Sequence, residues 1–143
     1  MVAKSLNVLV VDDSDADAFT ISACLDSCPD VADYMRARDG QEALEILLTS
    51  QFKPDLILLD LNMPRIDGFG FIHHYEENSS RSCKIAILST SGSGTDYHRA
   101  VLRNAKTYIV KPPRMSQLRR TLNELCRSVR TNTPIPQRFF CAA

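Results

Sequence analysis

The chain has 143 residues, of which 44% are hydrophobic and 24% charged, as expected for one globular domain large enough to bury a core. Seventeen basic residues balance seventeen acidic ones, so the net charge gives no reason to expect a nucleic-acid or membrane-surface partner. No apolar run approaches the roughly 20 residues that cross a bilayer, and the N-terminus lacks the apolar core of a signal peptide. The five cysteines lack the spacing of a zinc site, and we expect reduced thiols in a cytoplasmic protein.

Short apolar segments alternate along the chain with segments in which apolar residues recur at helical spacing. The apolar segments predict five strands, at 6–11, 31–37, 56–59, 84–88 and 107–110. The second is more polar than the others, which suits the edge of a sheet. The remaining segments predict five helices, from 14 or 15 to about 28 and at 41–49, 69–77, 95–104 and 116–130. Ser116 is a candidate cap for the last helix, and Arg130 lies on its predicted solvent face.

Strands that alternate with helices predict an α/β fold, a doubly wound five-stranded parallel sheet with helices on both faces. Right-handed crossovers leave few arrangements, and the common five-stranded order is 2-1-3-4-5, the flavodoxin-like (βα)5 fold. We assign residues 1–130 to this single domain and 131–143 to a C-terminal tail that is flexible or used in docking. In this order the first and third strands are neighbours, and the crevice at their carboxyl ends is the expected ligand site.

Polar side chains follow the strands at that edge of the predicted sheet. Asp12 and Asp13 end the first strand and Asp60 ends the third, so three carboxylates should converge on the crevice. Ser89 at the fourth strand and Lys111 at the fifth bring a hydroxyl and an ammonium to the same edge. Buried carboxylates are costly unless paired, and Mg²⁺ prefers oxygen ligands of this kind. A carboxylate can also accept a phosphoryl group, whose charge a metal ion and a lysine neutralise.

These residues also have simpler interpretations. Asp12 or Asp13 could cap the first helix, because aspartate is favoured at that position. Asp60 could start a loop as an Asx turn, and Lys111 could be a solvated loop lysine. The convergence of all of them on one crevice favours a functional site.

Five motifs stand in this order along the chain: Val10-Val11-Asp12-Asp13, Leu58-Leu59-Asp60-Leu61-Asn62-Met63-Pro64, Asp67-Gly68, Ser89 and Lys111-Pro112. Together they resemble the receiver domain of bacterial two-component response regulators, of the stand-alone, chemotaxis-regulator type. The resemblance extends from about Leu6 to Arg130. Any one motif alone is a weak signal, and the combination is strong because each of four predicted strand ends carries one.

The resemblance implies a phosphoryl acceptor and a metal site. Asp60 would take a phosphoryl group from a histidine kinase or a histidine phosphotransfer protein. Asp12 and Asp13 would hold Mg²⁺, with an oxygen of Asp60 and the backbone carbonyl of Asn62 completing the protein ligands. Lys111 would pair with the phosphate.

The resemblance also implies a switch. Ser89 would be the switch hydroxyl, with the adjacent Thr90 as the second choice. Tyr108 stands where the family often has a mobile aromatic residue, and a plain edge-strand tyrosine is the alternative. Phosphorylation would change the face built from the fourth helix, the fifth strand and the fifth helix.

The expected function is therefore that of a signalling phosphoacceptor rather than an enzyme. Its partners would be a phosphodonor and an unidentified downstream protein, with no nucleic acid and no membrane, and the chain would be a monomer or a phosphorylation-dependent homodimer. One alternative is a receiver-like scaffold that binds its partner constitutively, and another is a receiver fragment of a larger signalling protein. A Mg²⁺-dependent phosphatase is less consistent with the sequence, because Asn62 stands where that class typically has a second acid.

Overall fold

The structure of the chain is a computed structural model. It describes residues 5–49, 51–61, 70–71, 83–89, 107–112, 114–135 and 138–139. The predicted helices at 69–77 (apart from 70–71) and 95–104 lie outside these ranges, as do Asn62 and Thr90. The strands are β1 (Leu6–Val11), β2 (Val31–Ala37), β3 (Leu56–Leu59), β4 (Lys84–Ser89), β5 (Thr107–Val110) and β6 (Arg138–Phe139). The helices bounded within the described ranges are α1 (Asp15–Asp26), α2 (Gly40–Thr49) and α3 (Met115–Thr131). Within these ranges, no helix combines the length and the apolar character needed to cross a bilayer.

The described strands form one parallel sheet in the order β2-β1-β3-β4-β5-β6. The predicted order 2-1-3-4-5 is thus confirmed. The sequence did not predict β6, which pairs in parallel with β5 through Tyr108 with Arg138 and Ile109 with Phe139. Helix α3 is the crossover between β5 and β6, so these elements form one further βαβ unit.

The sheet has an apolar core on each face. Alternate residues of β1 divide between the two cores: Val8 and Val10 pack with residues of α1 and α3, whereas Leu9 and Val11 pack in the core that includes residues of α2. Strand β3 is buried along its whole length, as its continuous apolar run predicted. Asp60 therefore follows a segment that is shielded from water on both faces.

The helix starts confirm one candidate cap, add one that the sequence did not predict and contradict a third. The Ser14 hydroxyl accepts a hydrogen bond from the Asp17 amide at 3.2 Å, so Ser14 caps α1. Asp39 accepts from the Glu42 amide at 2.9 Å at the start of α2. The expectation that Ser116 caps the last helix is wrong, because α3 begins at 115 and its N-cap makes no side-chain hydrogen bond.

Arg130 also differs from its prediction. It was expected to face solvent, but its side chain is only 24% exposed and its guanidinium donates to the carboxylate of Asp30. The arginine follows Val129, which packs against the core shared by α1 and α3. The ion pair therefore fastens the end of α3 to the loop after α1.

We expect Leu122→Ala to lower the free energy of unfolding by about 2 to 5 kcal/mol, because truncating a buried leucine leaves a cavity. Leu122 in α3 is fully buried, whereas Leu48 in α2 is 65% exposed. The matched variant Leu48→Ala should change stability by less than about 0.5 kcal/mol. Urea unfolding at equilibrium measures both, and equal losses would contradict the packing described for α3.

Candidate functional site

Two buried carboxylates follow neighbouring strands. Asp12 comes after β1 and Asp60 after β3, and they are 1% and 8% exposed. Their backbones continue the sheet, because the Asp12 amide donates to the Ala37 carbonyl at 3.1 Å and the Asp60 amide to the Val11 carbonyl at 2.9 Å. The sheet thus fixes the backbone positions of Asp12 and Asp60, and it buries two carboxylates at the same edge.

Asp13 adds a third carboxylate to this edge. One oxygen each of Asp12, Asp13 and Asp60 lies within 4.8 Å of the other two. On an octahedral Mg²⁺ ion, with oxygens at about 2.1 Å, two ligand atoms are about 3 to 4.2 Å apart. The carboxylates therefore fit a single Mg²⁺ ion after small side-chain rotations, and the exposure of Asp13 leaves room for water ligands. The predicted fourth ligand, the Asn62 carbonyl, lies outside the described residues.

The ammonium of Lys111 sits among these acids. Its Nζ is 3.0 Å from Asp12 Oδ2, 2.8 Å from Asp17 Oδ2 and 4.0 Å from Asp60 Oδ1. Burial alone would lower the pKa of Lys111, but the hydrogen bond to Asp17 and the charges of Asp12 and Asp60 outweigh it, so the pKa is raised. The lysine stays protonated and offsets part of the negative charge of the cluster.

Asp12 is held through both of its carboxylate oxygens. Oδ1 accepts a hydrogen bond from the Ser14 amide at 2.9 Å, and Oδ2 accepts from Lys111. On β2, Arg36 donates from Nε and a second guanidinium nitrogen to the Asp12 carbonyl, at 3.2 and 3.0 Å. The same guanidinium donates to Asp15 at 2.6 Å, and this hydrogen bond, together with nearby Arg38, lowers the pKa of Asp15. Hydrogen bonds therefore hold both the backbone carbonyl and the side chain of Asp12.

Sequence reasoning missed two of these residues, Asp17 and Arg36. Asp17 lies in the first turn of α1, where acids are common for their interaction with the helix dipole, so its contact with Lys111 gave no separate signal. Arg36 is paired with Val10 in the sheet, two residues before Asp12, and only the strand order reveals that proximity.

Ser89 and Tyr108 lie at and near the same edge. Ser89 is fully buried at the end of β4, and its carbonyl accepts from the Lys111 amide at 2.7 Å. Because Leu59 pairs with Ile87, Ser89 and Asp60 lie at the same end of the adjacent strands β4 and β3. Thr90, the second choice for the switch hydroxyl, is outside the described residues.

Tyr108 is 1% exposed and stands between β4 and β6. It is not on an edge strand, because β6 covers that side of β5. The Tyr108 side chain is already buried. This arrangement is therefore not one from which the aromatic ring would turn from solvent into the core.

The geometry can support chemistry on an anionic group. A buried carboxylate at 60 faces two acids that suit a divalent cation and a lysine that carries a positive charge. Together, cation and lysine can neutralise a phosphoryl group that approaches the carboxylate.

Residues 8–123 match the family model of the response regulator receiver domain. The chain is 33% identical over 134 residues to protein-glutamate methylesterase/protein-glutamine glutaminase 1 of Myxococcus xanthus, covering 90% of this chain. It spans 38% of the length of that relative. The similarity therefore concerns only part of the methylesterase.

Solved structures agree with the family. The phosphorylated cyanobacterial phytochrome response regulator RcpA superposes with a TM-score of 0.81 at 26% identity, covering 92% of this chain and 99% of that one. The response regulator domain of Thermotoga maritima CheB gives 0.75 at 27% identity, covering 90% and 98%. With the family model covering most of its length, this chain belongs to the response regulator receiver domain family.

Proposed function

We propose that Asp60 accepts a phosphoryl group from a histidine kinase or a histidine phosphotransfer protein, and that the chain acts as a signalling switch. Receiver domains as a family are phosphorylated by histidine kinases and act on downstream effectors. The observation that carries the proposal is the position of Asp60. It ends the buried central strand, shares an acidic cluster with Asp12 and Asp13, and lies 4.0 Å from the ammonium of Lys111.

The transfer step follows from the chemistry of a carboxylate. An oxygen of Asp60 attacks the phosphorus of a phosphohistidine, the phosphorus–nitrogen bond breaks, and its electron pair returns to the imidazole of the donor. The products are an acyl phosphate on Asp60 and a histidine. Lys111 offsets negative charge on the phosphoryl oxygens as they approach the acids.

Asp12 and Asp13, an oxygen of Asp60 and the carbonyl of Asn62 are the proposed ligands of Mg²⁺. The ion would supply further positive charge at the phosphoryl oxygens. Receiver domains bind Mg²⁺ or Mn²⁺ in an acidic pocket of this kind. Within the described chain, the cluster at the ends of β1 and β3 fits that role because its oxygens are close together and only Asp13 is exposed.

The proposed output runs through Ser89 and Lys111. A phosphoryl group on Asp60 would draw the Ser89 hydroxyl and the Lys111 ammonium toward its oxygens, with Thr90 as the alternative hydroxyl. These residues are tied to each other, because the Lys111 amide donates to the Ser89 carbonyl. Their movement would act on the segment predicted as a helix at 95–104, on β5 with Tyr108, and on α3.

That face is the proposed binding surface for a downstream protein or for a second copy of the chain. The C-terminal segment extends it, because β6 adds to the sheet beside β5. A scaffold that binds constitutively is the alternative, and it would not need the charges assembled around Asp60. A receiver within a longer signalling protein would use the same site.

We propose action in the cytoplasm, where thiols stay reduced. The cysteines that the structure describes, at 24, 28, 83 and 126, are thiols rather than halves of disulfide bonds.

We expect a small phosphodonor with Mg²⁺ to add one phosphoryl group to the wild type and none to Asp60→Asn. The reason is that a carboxylate at position 60 can form the acyl phosphate, whereas an amide there cannot. Intact-mass spectrometry measures the uptake. Asp33→Asn, which alters an exposed carboxylate on β2, is the control and should be modified like the wild type. Uptake by Asp60→Asn at the wild-type level would contradict the assignment.

We expect Asp13→Ala to weaken Mg²⁺ binding by at least about 10-fold, a loss typical even for residues that only support the ligands. Titration calorimetry on both proteins measures the affinity. Asp15→Ala removes a neighbouring exposed carboxylate that pairs with Arg36 and Arg38, and it should bind Mg²⁺ nearly as the wild type does. Unchanged affinity in Asp13→Ala would show that this residue is not a ligand.

We expect phosphorylation to change amide hydrogen exchange between 89 and 130, in β5 and α3 as well as beside Asp60. Lys111→Ala should still accept the phosphoryl group but lose the changes in hydrogen exchange in β5 and α3, because it lacks the ammonium that the phosphoryl oxygens attract. The unphosphorylated protein is the reference for each. Changes confined to the surroundings of Asp60 in the wild type would rule out the proposed output face.

A further inference from the structure

Among the carboxylates that the structure describes, the one nearest to the ammonium of Lys111 belongs to a residue outside the proposed metal site. Asp17 Oδ2 is 2.8 Å from Nζ, compared with 3.0 Å for Asp12 and 4.0 Å for Asp60. Asp17 lies on α1 and is not a member of the acidic cluster. The lysine is therefore shared between the site and a helix beside it.

We propose that Asp17 is a positioning residue that competes with a phosphoryl group on Asp60 for the ammonium of Lys111. The inference rests on the proposed function, since it needs Asp60 to carry the group. In the unphosphorylated protein, Asp17 holds Lys111 on the α1 side of the crevice. Phosphorylation is then opposed by the free energy of that contact.

The two short hydrogen bonds of Lys111 are not equally easy to break. Asp12 has a side chain that is 2% exposed, and losing the lysine would leave a buried carboxylate oxygen without that partner. Asp17 has a side chain that is 45% exposed, so water can replace the lysine there. When the ammonium turns toward Asp60, the contact with Asp17 is the one that gives way.

The direction of the effect follows from linkage. A contact that is present before phosphorylation and lost after it favours the unphosphorylated state by the free energy of the contact. Removing Asp17 should therefore strengthen the binding of any phosphoryl-like group at Asp60 by the same amount. An exposed to half-exposed ion pair of this kind corresponds to about a two- to five-fold change in affinity.

The charge of Asp17 also acts on the helix, and a control must separate that effect. Both Asp15 and Asp17 lie in the first turn of α1, so each interacts with the positive end of the helix dipole. Asp15 pairs with Arg36 and Arg38 instead of Lys111. Asp15→Asn thus removes the same charge from the same turn and leaves the lysine contact in place.

The experiment measures the affinity for beryllium fluoride, a mimic of the phosphoryl group, at saturating Mg²⁺ in the full chain. We expect Asp17→Asn to bind about two- to five-fold more tightly than the wild type and Asp15→Asn to bind like it. In a Lys111→Ala background, which lacks the ammonium, Asp17→Asn should have no effect. Asp17→Ala, which cannot accept a hydrogen bond at all, should give at least the same gain, and thermal unfolding of each variant confirms that it is folded.

Three results would overturn the inference while the proposed function stands. The first is an affinity for beryllium fluoride in Asp17→Asn and Asp17→Ala that equals or falls below that of the wild type. The second is an equal gain in affinity in Asp15→Asn, and the third is a gain from Asp17→Asn that persists in the Lys111→Ala background. Failure of the folded wild type to bind beryllium fluoride would be a different outcome. It would overturn the proposed function, and the inference with it.

Discussion

The site depends on the pairing of buried carboxylates with one ammonium. Asp12 and Asp60 are buried where they follow strands β1 and β3. Two neighbouring buried anions repel each other. Lys111 reaches between them from the end of β5 and is itself almost buried. Without the lysine, the edge of the sheet would carry negative charge that burial makes costly.

The parallel sheet supplies the geometry that this pairing needs. β1, β3, β4 and β5 run the same way, so the residues that follow them arrive at one edge. Backbone hydrogen bonds continue past the strand ends, from Asp12 to Ala37 and from Lys111 to Ser89. The Arg36 guanidinium then fixes the carbonyl of Asp12 from the neighbouring strand. These hydrogen bonds tie the residues of the site to the sheet, whereas the contact of Lys111 with the half-exposed Asp17 is easier to break.

The strands β1 to β5, their order and the residues at their ends could be predicted from the sequence. Buried strands are written as apolar runs, and Asp12, Asp60 and Lys111 each directly follow such a run. The three-dimensional partners of those residues could not be predicted in the same way. Asp17 reaches the site from a helix, and its spacing in the sequence is that of an ordinary acid in a first turn.

Two other features were hidden for local reasons. Strand β6 has only two residues and follows a segment with Pro134 and Pro136, a pattern that indicates a tail rather than a strand. Arg130 lies in the last turn of α3, where the helical pattern predicted a solvent face, and its partner Asp30 is 100 residues away in the chain. In both cases the interaction that decides the structure is non-local.

The most direct test of this account is the crystal structure of the chain with Mg²⁺ and beryllium fluoride bound. We expect Lys111 Nζ to lie at about 3 Å from a fluorine of the group on Asp60, within hydrogen-bond range. We also expect Nζ to have moved away from Asp17. A structure in which Lys111 still lies 2.8 Å from Asp17 and does not contact the group on Asp60 would contradict it.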